Sequence, residues 1–443
     1  MVQTIRKRSG EQVPFDAGKI REAIHKANVA TQGEKISARL LNELTAKVVA
    51  ALPEDTVPTV EQIQDIVEET LIGADYAKTA KAYILYRAEH TKIRQTETDL
   101  MDIYKELTFA YAKDADIKRE NANIDADTAM GTMLKYGSEG SKYFIDNYIL
   151  PKDVAAAHIN GDIHIHDKDF YMLTETCCQI DLLKLFKGGF SAGHGYLREP
   201  NGIQSYTALA CIAVQANQNE MHGGQSLPNF DWAMAPGVDK TFRTEYFRAL
   251  SQILHIRLGL SAADARALCA AVRGELRPEL TMSGADAYGE ALAAYLPVHQ
   301  REGGYQAISA EAAAQAHRDA VETALFETDR ATYQAMEAFV HNLNTMNSRA
   351  GAQVPFSSVN YGTDTSPEGR MVVRNLLLAT DAGRGDGETP IFPVQIFKVK
   401  EGINFNEGDP NYDLFKLAIK TSAKRLFPNF SFIDAPFNLK YYK

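Results

Sequence analysis

From about residue 96 onward the chain interleaves helix-length segments with short runs of strand length, most of them bounded by turn residues. That interleaving points to an α/β core. Runs at 162–166, 174–182, 354–361 and 390–399 read as strands. Helices fit 204–217, 240–257, 287–296 and 310–342. The Ala-rich stretch 262–331 carries little chemistry and reads as helical packing material.

Residues 1–95 read as a separate small α+β unit, and 443 residues are more than one ordinary domain needs. Residues 3–15 alternate polar and apolar side chains around Ser9-Gly10, which predicts a hairpin. Asp16 is placed to cap a helix from Ala17, with Ile20, Ala23, Ile24 and Ala27 on one face. A second helix is expected over 37–51. Thr59 with Gln62 three residues on announces a third, faced by Ile63, Ile66, Val67 and Leu71. A fourth is expected over 76–92. The remaining residues, 96–443, form the second domain of this reading.

Charge and cysteine content narrow the class. A net charge of −10 weighs against broad nucleic-acid binding. No apolar run reaches the roughly 18 residues a membrane helix needs, so no membrane partner is expected. Four cysteines, Cys177, Cys178, Cys211 and Cys269, are too few for a disulfide scaffold in so long a chain, and they fit a reducing cytoplasm. No CxxC pair is present, so no cysteine zinc site is expected in this chain.

Two motifs carry chemistry. The first is Lys7-Arg8-x-Gly10, then Phe15-Asp16-x-x-Lys19-Ile20, then 82–87 with Tyr83 and Arg87. Cations gathered at a Gly turn and a helix start suit a polyphosphate, because charge and free N–H groups both face it. Taken alone, a solvated charge cluster is the stronger reading. Together the spaced elements resemble the ATP-cone, a regulatory module at the N-terminus of many ribonucleotide reductases. The resemblance spans nearly all of 2–94. It implies that Lys7, Arg8 and Lys19 contact phosphates, that Ile20 and Thr59 line the base and sugar pocket, and that Arg87 lies near the phosphates. ATP and dATP would be the competing effectors, with dATP favouring an inactive oligomer.

The second motif is Gly161-Asp162-Ile163-His164-Ile165-His166-Asp167, followed by Cys177-Cys178-x-Ile180-Asp181-Leu182. Two histidines two apart on a strand would face one side and could bind a metal; a structural cluster accounts for them slightly better. With 205–208, 222–225, 353–356, 390–393 and 408–413 in order behind it, the motif resembles the first barrel strands of anaerobic, class III ribonucleoside-triphosphate reductases. The fold this implies is a small α+β ATP-cone followed by an incomplete ten-stranded α/β barrel of the glycyl-radical type. The family's ribose-side cysteine falls on Cys177, four before Asp181, and His164 matches a histidine lining the substrate pocket. Strand alternation sends Cys177 and Cys178 to opposite faces, leaving Cys178, Cys211 and Cys269 structural. His166 and Asp167 are read as holding the local turn.

The resemblance also implies a chemistry. A thiyl radical abstracts the ribose 3′-hydrogen, water leaves the 2′ carbon, and Cys177 supplies hydrogen and is oxidised. Formate would be the reductant. A radical-SAM iron–sulfur enzyme would install the glycyl radical, and the protein would be a homodimer or higher oligomer. No cysteine follows Cys269, so the thiyl cysteine, the glycyl-radical segment and the family's four-cysteine zinc site are expected beyond Lys443. On this reading the chain is truncated and inactive alone. Two other readings compete. Cones also occur in short nucleotide-sensing repressors with a zinc ribbon, or the chain is a non-catalytic paralogue. A pyruvate formate-lyase type of enzyme would lack the cone.

Overall fold

The computed structural model describes residues 2–7, 11–31, 34–53, 55–109, 126–171, 175–299 and 308–441. It divides into two compact units, 1–110 and 111–443.

The first unit opens with strand β1 (Thr4–Arg6) antiparallel to β2 (Gln12–Pro14), Ile5 opposite Val13. The Ser9-Gly10 turn lies outside the described residues. Asp16, in extended conformation, accepts from the Gly18 N–H at 2.8 Å and starts α1 (Ala17–Val29). Ser37 caps α2 (Ala38–Ala50). Thr59 and Gln62 form the reciprocal capping box of α3 (Val60–Gly73). Helix α4 (Ala77–Phe109) begins where the Glu34 carboxylate accepts from the Lys78 and Thr79 N–H groups. It runs past residue 92 because no Gly or Pro interrupts the sequence from 77 to 109. Ile24, Leu44, Val48, Val67 and Leu71, each almost fully buried, form the centre of its core.

The second unit holds helices α5 (Ala129–Phe144) and α6 (Lys152–Ile159), then β3 (Cys178–Gln179) and the short α7 (Leu182–Phe186). A two-stranded ribbon, β4 (Phe190–Ser191) with β5 (Tyr196–Leu197), precedes α8 (Ile203–Asn217) and β6 (Gln225–Leu227). Four helices follow: α9 (Phe230–Ile256), α10 (Ala262–Glu275), α11 (Ala285–His299) and α12 (Ala310–Thr345). The chain then alternates through β7 (Ser357–Tyr361), α13 (Pro367–Ala382), β8 (Val394–Val399), α14 (Tyr412–Arg425) and β9 (Asn429–Phe432). Strands β3, β6, β7, β8 and β9 pair in that order, every neighbour parallel. The α/β expectation therefore holds, with five parallel strands in the sheet among the described residues.

Three local readings need correction. Residues 162–166 form no strand: α6 ends at Ile159, Gly161 turns the chain at φ +82°, and the Ile165 N–H folds back to His158 Nδ1 at 3.2 Å. The run 174–182 contributes only two ladder residues, because Asp181 already caps α7; Thr174 lies outside the described residues. Helix α9 starts ten residues before the expected 240, passing through Pro236 and Gly237. Packing overrides those breakers. A Cβ at Gly237 would lie 2.8 Å from the Tyr206 ring, so its absence lets α9 lie against α8.

Helices cover one face of the sheet. Leu227, Val359, Tyr361 and Phe397 point into a core with Tyr206, Val214, Phe230, Met234 and Phe339. The C-terminal half of α9 leaves this core and joins α10, α11 and the first half of α12 around a second one, including Tyr246, Leu250, Leu292 and Ala320. The Ala-rich stretch builds that helical lobe: small side chains on 262–331 let its helices approach closely.

Candidate functional site

In the first unit, the isolated bridge Arg6↔Thr59 brings the end of β1 to the start of α3, and Arg6 donates to Pro58 O at 2.9 Å. Lys7 follows directly, half exposed, its Nζ 2.9 Å from Glu11. Arg87 of α4 reaches the same helix start. Its guanidinium meets Glu61 at 2.7 Å, Asp65 at 2.6 Å and Glu68 at 2.9 Å. Burial works against the charge there, but bonds to Glu68, Asp65 and Glu61 outweigh it and hold Arg87 above its ordinary value. Arg87 thus lies along the first two turns of the helix that Thr59 caps, and Lys7 follows the Arg6 residue bridged to Thr59. Lys19 is exposed in the first turn of α1, while Ile20 is 7% exposed and packed into the core. Arg8 lies outside the described residues.

In the second unit, the two adjacent cysteines separate as strand alternation requires. Cys178 turns toward the helices, where Asn217 Nδ2 at the end of α8 donates to its Sγ at 3.1 Å. Burial pushes the Cys178 thiol up from its ordinary value, while the Asn217 bond pulls the other way. Cys177 is exposed on the opposite, inner side. Gly223, at φ +94°, lies flush against it: a Cβ there would meet Thr176 O at 1.9 Å and Cys177 Sγ at 3.2 Å. Gly223 is thereby accounted for, since only glycine has both that backbone conformation and that clearance.

The turn at 162–167 joins this corner through His222. The His222 N–H donates to Glu175 O at 3.1 Å, and its Nε2 lies 3.6 Å from Asp167 Oδ2. His166 Nε2 lies 3.3 Å from the same oxygen. Asp167 itself is left-handed at φ +49°. His164 is exposed, its ring 5.7 Å from His158 and 5.8 Å from His166. Because the segment is not a strand, the argument that both histidines face one side does not apply. Among the described residues no group of three or more His, Cys, Asp or Glu is placed to hold a metal.

Several residues escaped the sequence reading. Phe170 stacks on His222 at 4.1 Å, and Arg349, half buried, lies over the Phe170 ring at 5.8 Å. The inner face of the sheet carries Ser226, Ser358, Asn360 and Lys398, alternating with the apolar residues of the helix face. Lys398 is 5% exposed, and its Nζ donates to Pro228 O at 2.6 Å and Asn229 Oδ1 at 2.8 Å. Burial pulls the Lys398 amine below its ordinary value, opposed by the charge of Asp231. Asp231 is fully buried, and its Oδ2 accepts from three successive N–H groups, Gly362 at 2.8 Å and Thr363 and Asp364 at 2.9 Å. No local pattern marks these residues, because each is defined by partners distant in the chain, 131 positions for Asp231 and Gly362.

Comparison with known proteins places both units. Residues 120–443 match the model of the family described as "Anaerobic ribonucleoside-triphosphate reductase", and residues 3–92 match that of the ATP cone domain. The chain is 25% identical over 432 residues to the anaerobic ribonucleoside-triphosphate reductase of Escherichia coli (strain K12), covering 97% of this chain and 51% of that protein. The enzyme of the same name from Enterobacteria phage T4 is 26% identical over 333 residues, 74% of this chain and 44% of the relative. Among solved structures, the anaerobic ribonucleotide reductase from Thermotoga maritima in complex with dATP and CTP aligns at 13% identity and TM-score 0.41, over 78% of this chain and 50% of that one. The chain spans about half the length of the curated relatives it matches.

Proposed function

Because the chain belongs to the anaerobic ribonucleoside-triphosphate reductase family and carries an ATP cone at its N-terminus, we propose that it serves reduction of ribonucleoside triphosphates to deoxyribonucleotides. It would supply the nucleotide-sensing unit and part of the substrate face. The observation that carries this reading is the exposed Cys177 thiol on the face of a parallel sheet turned away from the helices, its neighbour Cys178 turned into the helix layer.

In this reading Cys177 donates a hydrogen atom toward the ribose, and its thiol is the group oxidised as the nucleotide is reduced. His164 contributes to the substrate pocket beside it. The family's glycyl radical supplies the initiating radical chemistry; formate, a radical-SAM activating enzyme, a zinc site and a homodimer or higher oligomer belong to the same proposal. Carrying Cys177→Ser in the active reductase abolishes deoxyribonucleotide formation while substrate binding persists; an active variant overturns the assignment.

The cone is proposed to bind ATP or dATP through Lys7, Arg8, Lys19, Ile20, Thr59 and Arg87. Cations and a capped helix start around Thr59 form a charge-complementary place for phosphates. Arg87 already holds three carboxylates, so a phosphate near it competes with Glu61, Asp65 and Glu68 rather than meeting a free cation. Calorimetric titration with ATP and dATP is expected to show binding at micromolar concentrations that disappears in the Lys7→Ala, Lys19→Ala double variant. Absence of binding by the unaltered chain refutes the cone proposal.

A further inference from the structure

Adjacent cysteines on a very short strand raise a problem of register. Strand β3 has two ladder residues, and two backbone bonds beside Gly224 and Ser226 hold it: Cys178 N–H to Gly224 O at 3.2 Å and Ile180 N–H to Ser226 O at 2.8 Å. A slip of one residue in either direction re-forms both bonds from neighbouring N–H groups. The same slip turns every side chain to the other face. Cys178 would then stand on the inner side in place of Cys177, and the backbone alone would scarcely discriminate.

Side chains beneath the strand break the tie. Ile180 packs against the apolar core on the helix side. Asn217 supplies the polar counterpart. Its Nδ2 donates to Cys178 Sγ at 3.1 Å and to Gln225 Oε1 at 2.8 Å. Gln225 is the residue paired with Cys178 across the ladder, and its own Nε2 is tied to Val214 O at 2.9 Å. Asn217 therefore bridges β3 and β6 at the one rung where the two cysteines are told apart. The end of α8 that carries it is itself anchored, by Gln215 to Asn342 at 3.1 Å and Gln218 to Gln353 O at 3.2 Å.

We propose that Asn217 is a positioning residue that locks the register of β3 and so selects Cys177, not Cys178, as the thiol on the inner face. The inference rests on the reading of Cys177 as the reacting thiol. It assigns Asn217 no contact with substrate. A slipped strand would present the Cys178 thiol on the inner face instead of the Cys177 thiol.

Iodoacetamide labelling of the folded chain, with each cysteine quantified by peptide mass spectrometry, tests this. In the unaltered protein Cys177 is expected to label fastest, Cys178 slowly, and buried Cys211 scarcely at all. Asn217→Asp keeps the side-chain shape and removes both donors; Asn217→Ala removes the bridge entirely. Both are expected to raise the Cys178-to-Cys177 labelling ratio at least tenfold with Cys211 still silent. A ratio within twofold of the unaltered protein overturns the lock and leaves the Cys177 assignment standing. Labelling of Cys178 and Cys211 rising together marks general opening of the fold and also overturns it. If Cys178 labels faster than Cys177 before any substitution, the assignment of Cys177 falls, and the inference with it.

Discussion

Asp231 offers a quantitative test of how the end of the central strand β7 is held. Its Oδ2 accepts from the N–H groups of Gly362, Thr363 and Asp364, and the carbonyls of this loop are taken by Asn404 and Asn411. Asp231→Ala leaves three N–H donors without an acceptor in a buried loop, at roughly 1–3 kcal/mol each. Relief of the carboxylate's own desolvation offsets part of that sum. The net loss is expected at about 3–5 kcal/mol, the range for removing one member of a buried charged network. Asp231→Asn keeps an oxygen for the three donors and exchanges charge-assisted bonds for neutral ones, but it also relieves the carboxylate's desolvation, so a loss below about 1 kcal/mol is expected. Trp232 is the chain's only tryptophan, and its indole N–H donates to Thr363 Oγ1 in the same loop at 3.2 Å. Urea denaturation followed by tryptophan fluorescence therefore reads this region directly. Equal losses for Ala and Asn, within about 0.5 kcal/mol, would refute the argument that satisfying the three donors is what matters.

The same residue has a pH signature. Burial raises the Asp231 carboxyl above its ordinary 3.8, outweighing the backbone bonds that lower it. The folded state thus binds this proton more readily than the unfolded chain does. Stability from this site is complete below the ordinary carboxylate value and is lost as pH rises through the raised one. The unaltered protein should gain on Asp231→Asn as pH falls through that window.

Three further outcomes follow from named contacts. His317 Nδ1 shares a hydrogen bond with the Tyr246 hydroxyl at 2.9 Å, and the imidazole is lowered from 6.5, chiefly by burial, with Asp286 opposing and Arg318 reinforcing; Tyr288 packs beside it. The helical lobe should lose stability as pH falls from 6.5 toward the depressed value, and His317→Gln should flatten that dependence in melts followed by circular dichroism. Arg87→Ala should destabilise the cone by about 1–3 kcal/mol, discounted because Glu61 and Asp65 are 44% and 58% exposed. A melting temperature unchanged by that substitution would show the clamp to be inert. Gly237→Ala gains helix propensity of about 1 kcal/mol but overpacks Tyr206 by about 1–3 kcal/mol, so a net loss is expected in the urea midpoint.

Local signals in the sequence determined the elements of the first unit. Asp16, Ser37 and the Thr59–Gln62 pair cap helices where they stand, because a cap needs only residues within four positions of itself. The same holds for the strands 357–361 and 394–399, which lie inside short apolar runs bounded by turn residues. The opposed faces of Cys177 and Cys178 also follow from strand period alone. The end of α4 was hidden because side chains past residue 92 change character without any breaker, and the strand expected at 162–166 failed because alternation cannot supply a ladder partner.

What tertiary structure alone decided is which face became the inner one and what holds it there. That Cys178 faces the helices is set by the β3–β6 pairing, and there Asn217, 39 positions along, donates to its sulfur. The burial of Lys398 depends on Pro228 and Asn229, and the close approach of α9 to α8 at Gly237 depends on Tyr206. Capping and alternation are energies of neighbours in the chain, and composition records them. Register, burial of charge and close helix approach are energies of neighbours in space, set only when distant segments meet.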